Sequence, residues 1–183
     1  MRTAPALLDT PHLRLRPPEP DDCQAIFESY AADPEVTRYV WWPTHRSIRD
    51  TEAFLSWSAQ EWSRSPSGPY LICDRSGGRV LGGTGLTFEA SGRVITGYVL
   101  ARDVWGRGYA TEALRAMVAL ARALEVERLH AECHADHAAS RRVLEKCGFT
   151  LEGIQSTIAR FPNLDPDLIT DVCAYVHTLV RTH

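Results

Sequence analysis

The sequence predicts an α/β (α+β) fold: a mixed, mostly antiparallel central sheet of about seven strands flanked by about four helices. Three observations predict it. Three β-branched apolar segments, YLICD, RVLGGTGLTF and RVITGYVL, follow one another between Tyr70 and Leu100 with the turns RSGG and EASG at hairpin distance, an antiparallel meander. The apolar period then changes to that of a helix from Gly108 to Leu124. A further strand, RLHAECH, follows that helix, so one β-α-β crossover lies in the second half of the chain.

The elements run as follows. His12 to Arg16 alternates polar and apolar as a strand. PPEP then delivers Asp21 and Asp22 as N-cap candidates for a helix burying Ile26, Phe27 and Tyr30. After the loop DPEVTRYVWWPTHR, Ser47 with Asp50 three residues on resembles a capping box. Ile48, Phe54, Leu55, Ala59 and Trp62 recur at helical spacing, carrying that helix roughly to Ser63. Beyond the meander, Ala110, Ala113, Leu114, Met117, Leu120, Ala121 and Leu124 form the stripe of the long helix. Asp136 is the expected cap of a further helix carrying Val143, Leu144 and Cys147, stopped by Gly148 where a left-handed residue belongs. FTLEGIQSTI and ITDVCAYVHTL are the last strands, joined by FPNLDPD.

At 183 residues with 44% hydrophobic content, the chain suits one domain over 1–183 with its core from about 10 to 180. Twenty Lys and Arg against twenty-three Asp and Glu give a net charge of -3, so no global basic field draws it to nucleic acid or to an anionic membrane. The five cysteines, at 23, 73, 133, 147 and 173, never form C-x-x-C, which points away from disulfides and zinc ribbons and toward a reducing cytoplasm. Pro5 and Asp9 break the N-terminal apolar patch too early for a signal peptide or a membrane span.

The chemistry concentrates in Val104-Trp105-Gly106-Arg107-Gly108-Tyr109-Ala110-Thr111-Glu112, between a strand and the long helix. Two glycines one residue apart let backbone approach a bulky anion, and the helix N-terminus adds unpaired N–H groups and a positive dipole end. A pyrophosphate fits this loop; the alternative is simple turn chemistry, with Arg107 facing solvent. A dinucleotide fold would place its glycines in a first β-α turn with a third glycine, and a P-loop would have Lys where Tyr109 stands.

GYVLARDVWGRGYATEAL, followed after about twenty residues by HAASRRVLEKCGFTLEG, resembles the signature of the GNAT superfamily of N-acetyltransferases. LRLRPPEPDD and DVCAYV resemble its subgroup that acetylates the N-terminal alanine or serine of ribosomal proteins. The resemblance spans nearly the whole chain. It implies the GNAT acyl-CoA N-acyltransferase fold, acetyl-CoA as co-substrate and no metal. It further implies that Gly106, Arg107, Gly108, Tyr109, Ala110 and Thr111 wrap the CoA pyrophosphate. Val99 and Leu100 would lie on the strand whose exposed backbone pairs with pantetheine like an added β-strand, or simply pack in the core. His137 stands where the family usually has Asn and would contact the cofactor or face solvent. Ser140 is expected near the thioester, where it can protonate the leaving thiolate, or else packs within its helix. Homodimerisation is an expectation from the resemblance alone.

The reaction, attack of a neutral amine on a thioester, needs a deprotonated amine, a donor for the oxyanion and a proton for the thiolate. Backbone N–H near Leu100 suits the second need. Relatives often carry Glu where Ile95 stands and a general-acid Tyr where Leu144 stands, so the base is sought in His134, Glu89 or a water chain, with a satisfied structural histidine as the alternative for His134. An α-amine near pKa 8 needs less help than a lysine, which favours an N-terminal acceptor. A metal reading of His130, Cys133, His134 and His137 fails because strand alternation turns Cys133 away from His134.

The acceptor is expected between the first two helices and the last two strands, where Tyr39, Trp41 and Trp42 can clamp a peptide terminus or pack under their own loop. Glu112 reads as a first-turn helix acid. Two other functions are weighed: the same chemistry on a small amine such as a polyamine, amino acid or aminoglycoside, and a non-catalytic acyl-CoA-binding module.

Overall fold

The computed structural model describes residues 3–165 and 169–179. Leu13 and Leu15 are fully buried while Arg14 faces solvent, the period of two that makes Leu13–Arg16 a strand (β2). A two-residue strand, Leu8–Asp9 (β1), pairs with its outer edge. Pro20–Asp22 then forms a 3-10 turn that leads into α1 (Cys23–Ile26), which widens to a π-helical turn over Phe27–Ala31. Ile26 and Tyr30 enter the core, whereas Phe27 is half-buried. Asp22 sits at the N-cap of α1 yet its side chain makes no cap bond there. Its carboxylate accepts the Glu19 N–H at 2.7 Å and a two-pronged pair from Arg16 at 2.6 and 2.7 Å, tying β2 to the helix start.

The segment expected to be a plain loop contains one short helix, α2 (Pro34–Thr37). Asp33 caps it by accepting the Glu35 N–H at 2.9 Å, and Pro34 supplies a preset first turn. Four residues are too few to show a helical period. The capping box of Ser47 and Asp50 is present and opens α3 (Ile48–Arg64). Phe54, Leu55 and Trp62 pack against the core, but Ala59 is exposed; the buried face is completed by Thr51 and Ser58 instead.

β3 (Pro69–Asp74), β4 (Val80–Phe88) and β5 (Val94–Leu100) form the expected antiparallel meander. α4 (Tyr109–Ala123) buries Ala113, Leu114, Met117, Leu120 and Ala121 and crosses to β6 (Arg128–His134), which runs parallel to β5. α5 (Ala138–Lys146) has His137 at its N-cap in place of the expected Asp136, because the chain turns one residue later, through His137 N–H to His134 O. Gly148 ends the helix at φ 83°, and a Cβ there would come within 2.9 Å of His177, so both conformation and space require glycine. β7 (Thr150–Ala159) and β8 (Thr170–Thr178) are antiparallel; residues 166 and 167 of the FPNLDPD connection lie outside the described residues.

One eight-stranded sheet results, in the order β1-β2-β3-β4-β5-β6-β8-β7. The strand beyond the expected seven is β1, too short for any alternation to reveal. Among the described residues the β5–β6 pair is the sole parallel one, and it joins an antiparallel N-terminal half to an antiparallel C-terminal half.

Burial opposes ionisation of Asp22, but the bonds from Arg16 and from the Glu19 N–H outweigh it and lower its pKa. A lowered carboxylate stabilises the fold fully above its unfolded-state value of about 3.9 and loses that contribution as pH falls through the lower folded value. Asp22→Asn should therefore cost about 2 kcal/mol near neutrality, and the gap from the parent should narrow as pH falls below about 4. Urea denaturation of both proteins across that range measures it.

Candidate active site

β5 and β6 pair at Val94 with Leu129 and at Ile95 with His130, and nowhere else. Beyond that point β5 pairs with β4 alone and β6 with β8 alone, so the sheet opens into a wedge. Ala101 N–H bonds to Leu81 O at 2.7 Å, and a Cβ on Gly82 would lie 2.0 Å from Val99 O. Alternation therefore turns the backbone of Val99 into β4 and that of Tyr98 and Leu100 toward the wedge. Leu100 O accepts the Trp105 indole N–H at 2.8 Å, which leaves the Leu100 N–H directed at the opening. Val99 lines the cavity and stands opposite Gly83 of β4.

Paired residues of parallel strands share a face, so Ile95, Gly97 and Val99 look the same way as Glu132 and His134. Tyr98, Leu100 and Cys133 look the other way, toward α5. A cavity of about 1070 Å³ runs through the wedge and touches both faces. Gly106, Gly108, Tyr98 and Ser140 line one part of it, and Tyr39, Trp41, Trp42, Phe54 and Trp57 line another.

Gly106 and Gly108 have φ of 76° and 84°, and a Cβ on either would meet nothing within 4 Å. The requirement is conformational, and the space over the loop is open. Gly108 is the N-cap of α4, which makes the N–H groups of Tyr109, Ala110 and Thr111 the unpaired donors of its first turn. These three residues line the cavity with both glycines. Arg107 is exposed and lines an adjoining hollow with Arg115 and Lys146 and with the carboxylates of Asp9 and Glu112. Glu112 is engaged there: it accepts bonds from the Thr10 hydroxyl at 2.6 Å and from the His12 N–H at 2.8 Å, clasping the N-terminal segment to α4.

Ser140, on α5, is half-buried, and its hydroxyl lies 3.0 Å from the Tyr98 hydroxyl, which also donates to Ser140 O at 3.2 Å. Burial pushes the Tyr98 phenol well above its ordinary pKa, so it is an O–H donor at neutral pH. Tyr98 is the site residue the sequence reading missed. A tyrosine in GYVL reads as strand core, and its parity with Leu100 is the one signal that would have placed it beside α5. Leu144 is buried one turn beyond Ser140, and Ile95 lines the cavity as an apolar wall.

His137 lines the cavity with its ring stacked on Tyr39 at 4.8 Å; burial first, and then neighbouring His134, lower its pKa and keep it neutral. His134 itself is placed differently from the base it was expected to be. It is buried between Tyr39 at 4.8 Å and Phe161 at 5.1 Å and does not line the cavity. Its Nδ1 accepts the Asp136 N–H at 3.0 Å, so that nitrogen is not free to take a proton from an amine, and its buried Nε2 has no hydrogen-bond partner among the described residues. Glu89 sits in the β4–β5 turn, in contact with Ser91 and outside the cavity.

Trp41 is half-exposed and stacks on Phe161 at 4.4 Å, while Trp42 tilts against His45 at 5.2 Å. Phe54 and Trp57 of α3 extend this wall, an addition that the helical stripe alone did not single out. Among the described residues, no three His, Cys, Asp or Glu side chains converge as metal ligands, and no helix is long and apolar enough to cross a membrane.

Residues 12–150 match the family model described as an acetyltransferase (GNAT) domain. The chain is 30% identical to the uncharacterized N-acetyltransferase YoaA of Bacillus subtilis (strain 168), over 81% of this chain and 85% of that one. Among solved structures, RimL, the ribosomal L7/L12 alpha-N-protein acetyltransferase in complex with coenzyme A, superposes with a TM-score of 0.83 at 21% identity, covering 96% of this chain and 99% of RimL. MccE, a self immunity acetyltransferase in complex with acetyl-CoA and AMP, gives a TM-score of 0.81 at 18% identity, covering 93% and 94%. With its glycine loop at the start of α4 and its wedge between β5 and β6, the chain belongs to the GNAT acetyltransferase family and is an acetyl-CoA-dependent N-acetyltransferase.

Proposed function

We propose that the acceptor is the N-terminal α-amine of a protein or peptide, and that acetyl-CoA enters with its pyrophosphate on the loop Gly106–Thr111. The observation that carries this reading is the wedge itself. Backbone of Tyr98 and the N–H of Leu100, without a partner strand on that side, face a cavity whose glycine-loop end suits an anion and whose other end is aromatic. Pantetheine, with two amides, is matched to such an edge. Among the described residues, five free cysteines fit a reducing compartment such as the cytoplasm.

In the reaction the amine nitrogen attacks the thioester carbon, the C–N bond forms and the C–S bond breaks. Leu100 N–H meets the charge that builds on the carbonyl oxygen. Ser140 gives its hydroxyl proton to the departing sulfur and regains one through Tyr98 or water, and the amine's surplus proton passes to solvent. Ile95 offers no base, and Nδ1 of His134 is taken up by the Asp136 N–H, so the chemistry suits an amine with roughly a tenth of its molecules already neutral near pH 7. An α-amine is such a group and a lysine is not. The aromatic wall of Tyr39, Trp41 and Trp42 gives the first side chain of a peptide an apolar seat. The fold likeness to RimL agrees with this choice.

A compact apolar amine is the second reading, favoured by the same aromatic wall. Polyamines and aminoglycosides suit it less, because the cavity carboxylates Glu61 and Glu132 are already paired with Arg64 and Arg93.

Three experiments test the proposal. Thiol release from acetyl-CoA, measured against peptides with free Ala, Ser or Leu termini, polyamines, amino acids and aminoglycosides, should respond to peptides; response to small amines alone selects the second reading, and acetyl-CoA binding without turnover on any acceptor selects a non-catalytic module. Gly108→Val forces a β-branched residue into a left-handed conformation and should weaken acetyl-CoA about tenfold or more by calorimetry, a loss of roughly 1–3 kcal/mol. Ser140→Ala should lower kcat by about a hundredfold with acetyl-CoA affinity intact, and Tyr98→Phe should lower it less, in steady-state assays.

A further inference from the structure

We infer that Asn163, in the β7–β8 connection, is the positioning residue of the acceptor wall, a latch that sets acceptor affinity independently of the acetyl-CoA site. This rests on the reading that the segment from Tyr39 to His45 receives the acceptor. Nothing in the reaction chemistry uses Asn163, yet its carboxamide reaches across about 120 residues of chain to that segment. Oδ1 accepts the Thr44 N–H at 2.7 Å and the Thr44 hydroxyl at 3.0 Å. Nδ2 donates to Thr37 O at 2.6 Å and to Trp42 O at 2.9 Å. Both donors and both acceptor positions of the amide are filled, a state that fixes its orientation and leaves it no alternative set of partners.

The bonds bracket the aromatic residues. Thr37 ends α2 before Tyr39, and Trp42 and Thr44 hold the chain after Trp41. Between them the segment has no strand or helix of its own to keep Tyr39, Trp41 and Trp42 in place. Phe161, two residues before Asn163 and fully buried, supplies the apolar half of the latch: it stacks on Trp41 at 4.4 Å and stands edge-on to His134 at 5.1 Å. The C-terminal half of the sheet thus holds a wall built from the N-terminal half, and it does so through Phe161 and Asn163, which are not among the residues lining the cavity with the glycine loop and Ser140.

Only a carboxamide can serve two carbonyls and an N–H at once. Aspartate keeps the bonds to Thr44 but sets a carboxylate against Thr37 O and Trp42 O; alanine drops all four. The acceptor kinetics of Asn163→Ala and Asn163→Asp test the latch, using the best peptide acceptor of the parent protein. Both variants should raise the acceptor KM about tenfold, Asn163→Asp at least as much as Asn163→Ala, with kcat at saturation and the acetyl-CoA Kd within about twofold of the parent. Trypsin cleavage after Arg38 and Arg46, read by mass spectrometry, should quicken in parallel. Phe161→Leu, which keeps an apolar core residue, should show the same split in milder form if the Asn163 variants fold poorly. Parent turnover with an unchanged acceptor KM in the variants overturns the latch alone. A parent that turns over no peptide overturns the peptide reading instead, and unaltered cleavage after Arg38 and Arg46 then overturns the latch without reference to any acceptor.

Discussion

Two residue pairs hold β5 to β6, and the divergence that follows is the constraint on which the rest depends. Each half of the sheet is otherwise complete: β4 satisfies one side of β5, and β8 pairs with β6 along its length. The wedge leaves the backbone of Tyr98 and Leu100 without strand partners inside the protein, where unpaired polar groups are costly. Such an edge is matched by a guest that brings its own amides and is poorly matched by an apolar one. Gly82 sharpens the arrangement, because it lets β4 approach so closely that a Cβ would meet Val99 O at 2.0 Å. That packing holds β5 against β4 and keeps it from following β6.

The helices guard the wedge from one face. α4 begins with Gly108 in a left-handed conformation and points its first unpaired amides into the cavity, while its buried stripe from Ala113 to Ala121 anchors it to the sheet. Glu112, one turn in, is spent on Thr10 and His12, which fastens the N-terminal segment to the same helix. α5 brings Ser140 to Tyr98 across the opening. A buried stripe, a left-handed glycine start and one hydroxyl pair therefore fix this face of the cavity, the proposed acyl side. On the other face the aromatic wall is a loop, and its order is borrowed from Phe161 and Asn163.

What was legible in the sequence follows from the range of each interaction. The Ser47–Asp50 box, the meander turns and the stripe of α4 are local patterns, and each appears as read. Leu8–Asp9 and Pro34–Thr37 are shorter than any period and escaped it. The two glycines of the loop are legible as a place where backbone can approach an anion, and their left-handed conformation is what the structure adds. His134 shows the limit of alternation: parity set its face correctly, but nothing local told that Tyr39 and Phe161 would close over the ring or that Asp136 N–H would occupy Nδ1. Asn163 carries no local signal at all, since each of its partners lies more than a hundred residues away.

On the proposed reading, the two sides of the reaction are provisioned unequally. On the leaving-group side the chain builds a hydroxyl pair and buries the phenol so that it stays protonated. On the attacking side the wall is apolar at Ile95, His137 is held neutral by burial, and Glu132 is committed to Arg93 at 2.6 Å. A thiolate leaves with a full charge whatever the acceptor, so its proton source belongs in the protein. The attacking amine sheds its proton more or less readily according to its own pKa, so a site that supplies little basicity selects among amines by their chemistry before it selects by shape. Aromatic contacts would then, on that reading, discriminate within the set of amines that are neutral enough to react, and chemical selection would come ahead of the wall that Asn163 and Phe161 hold in position.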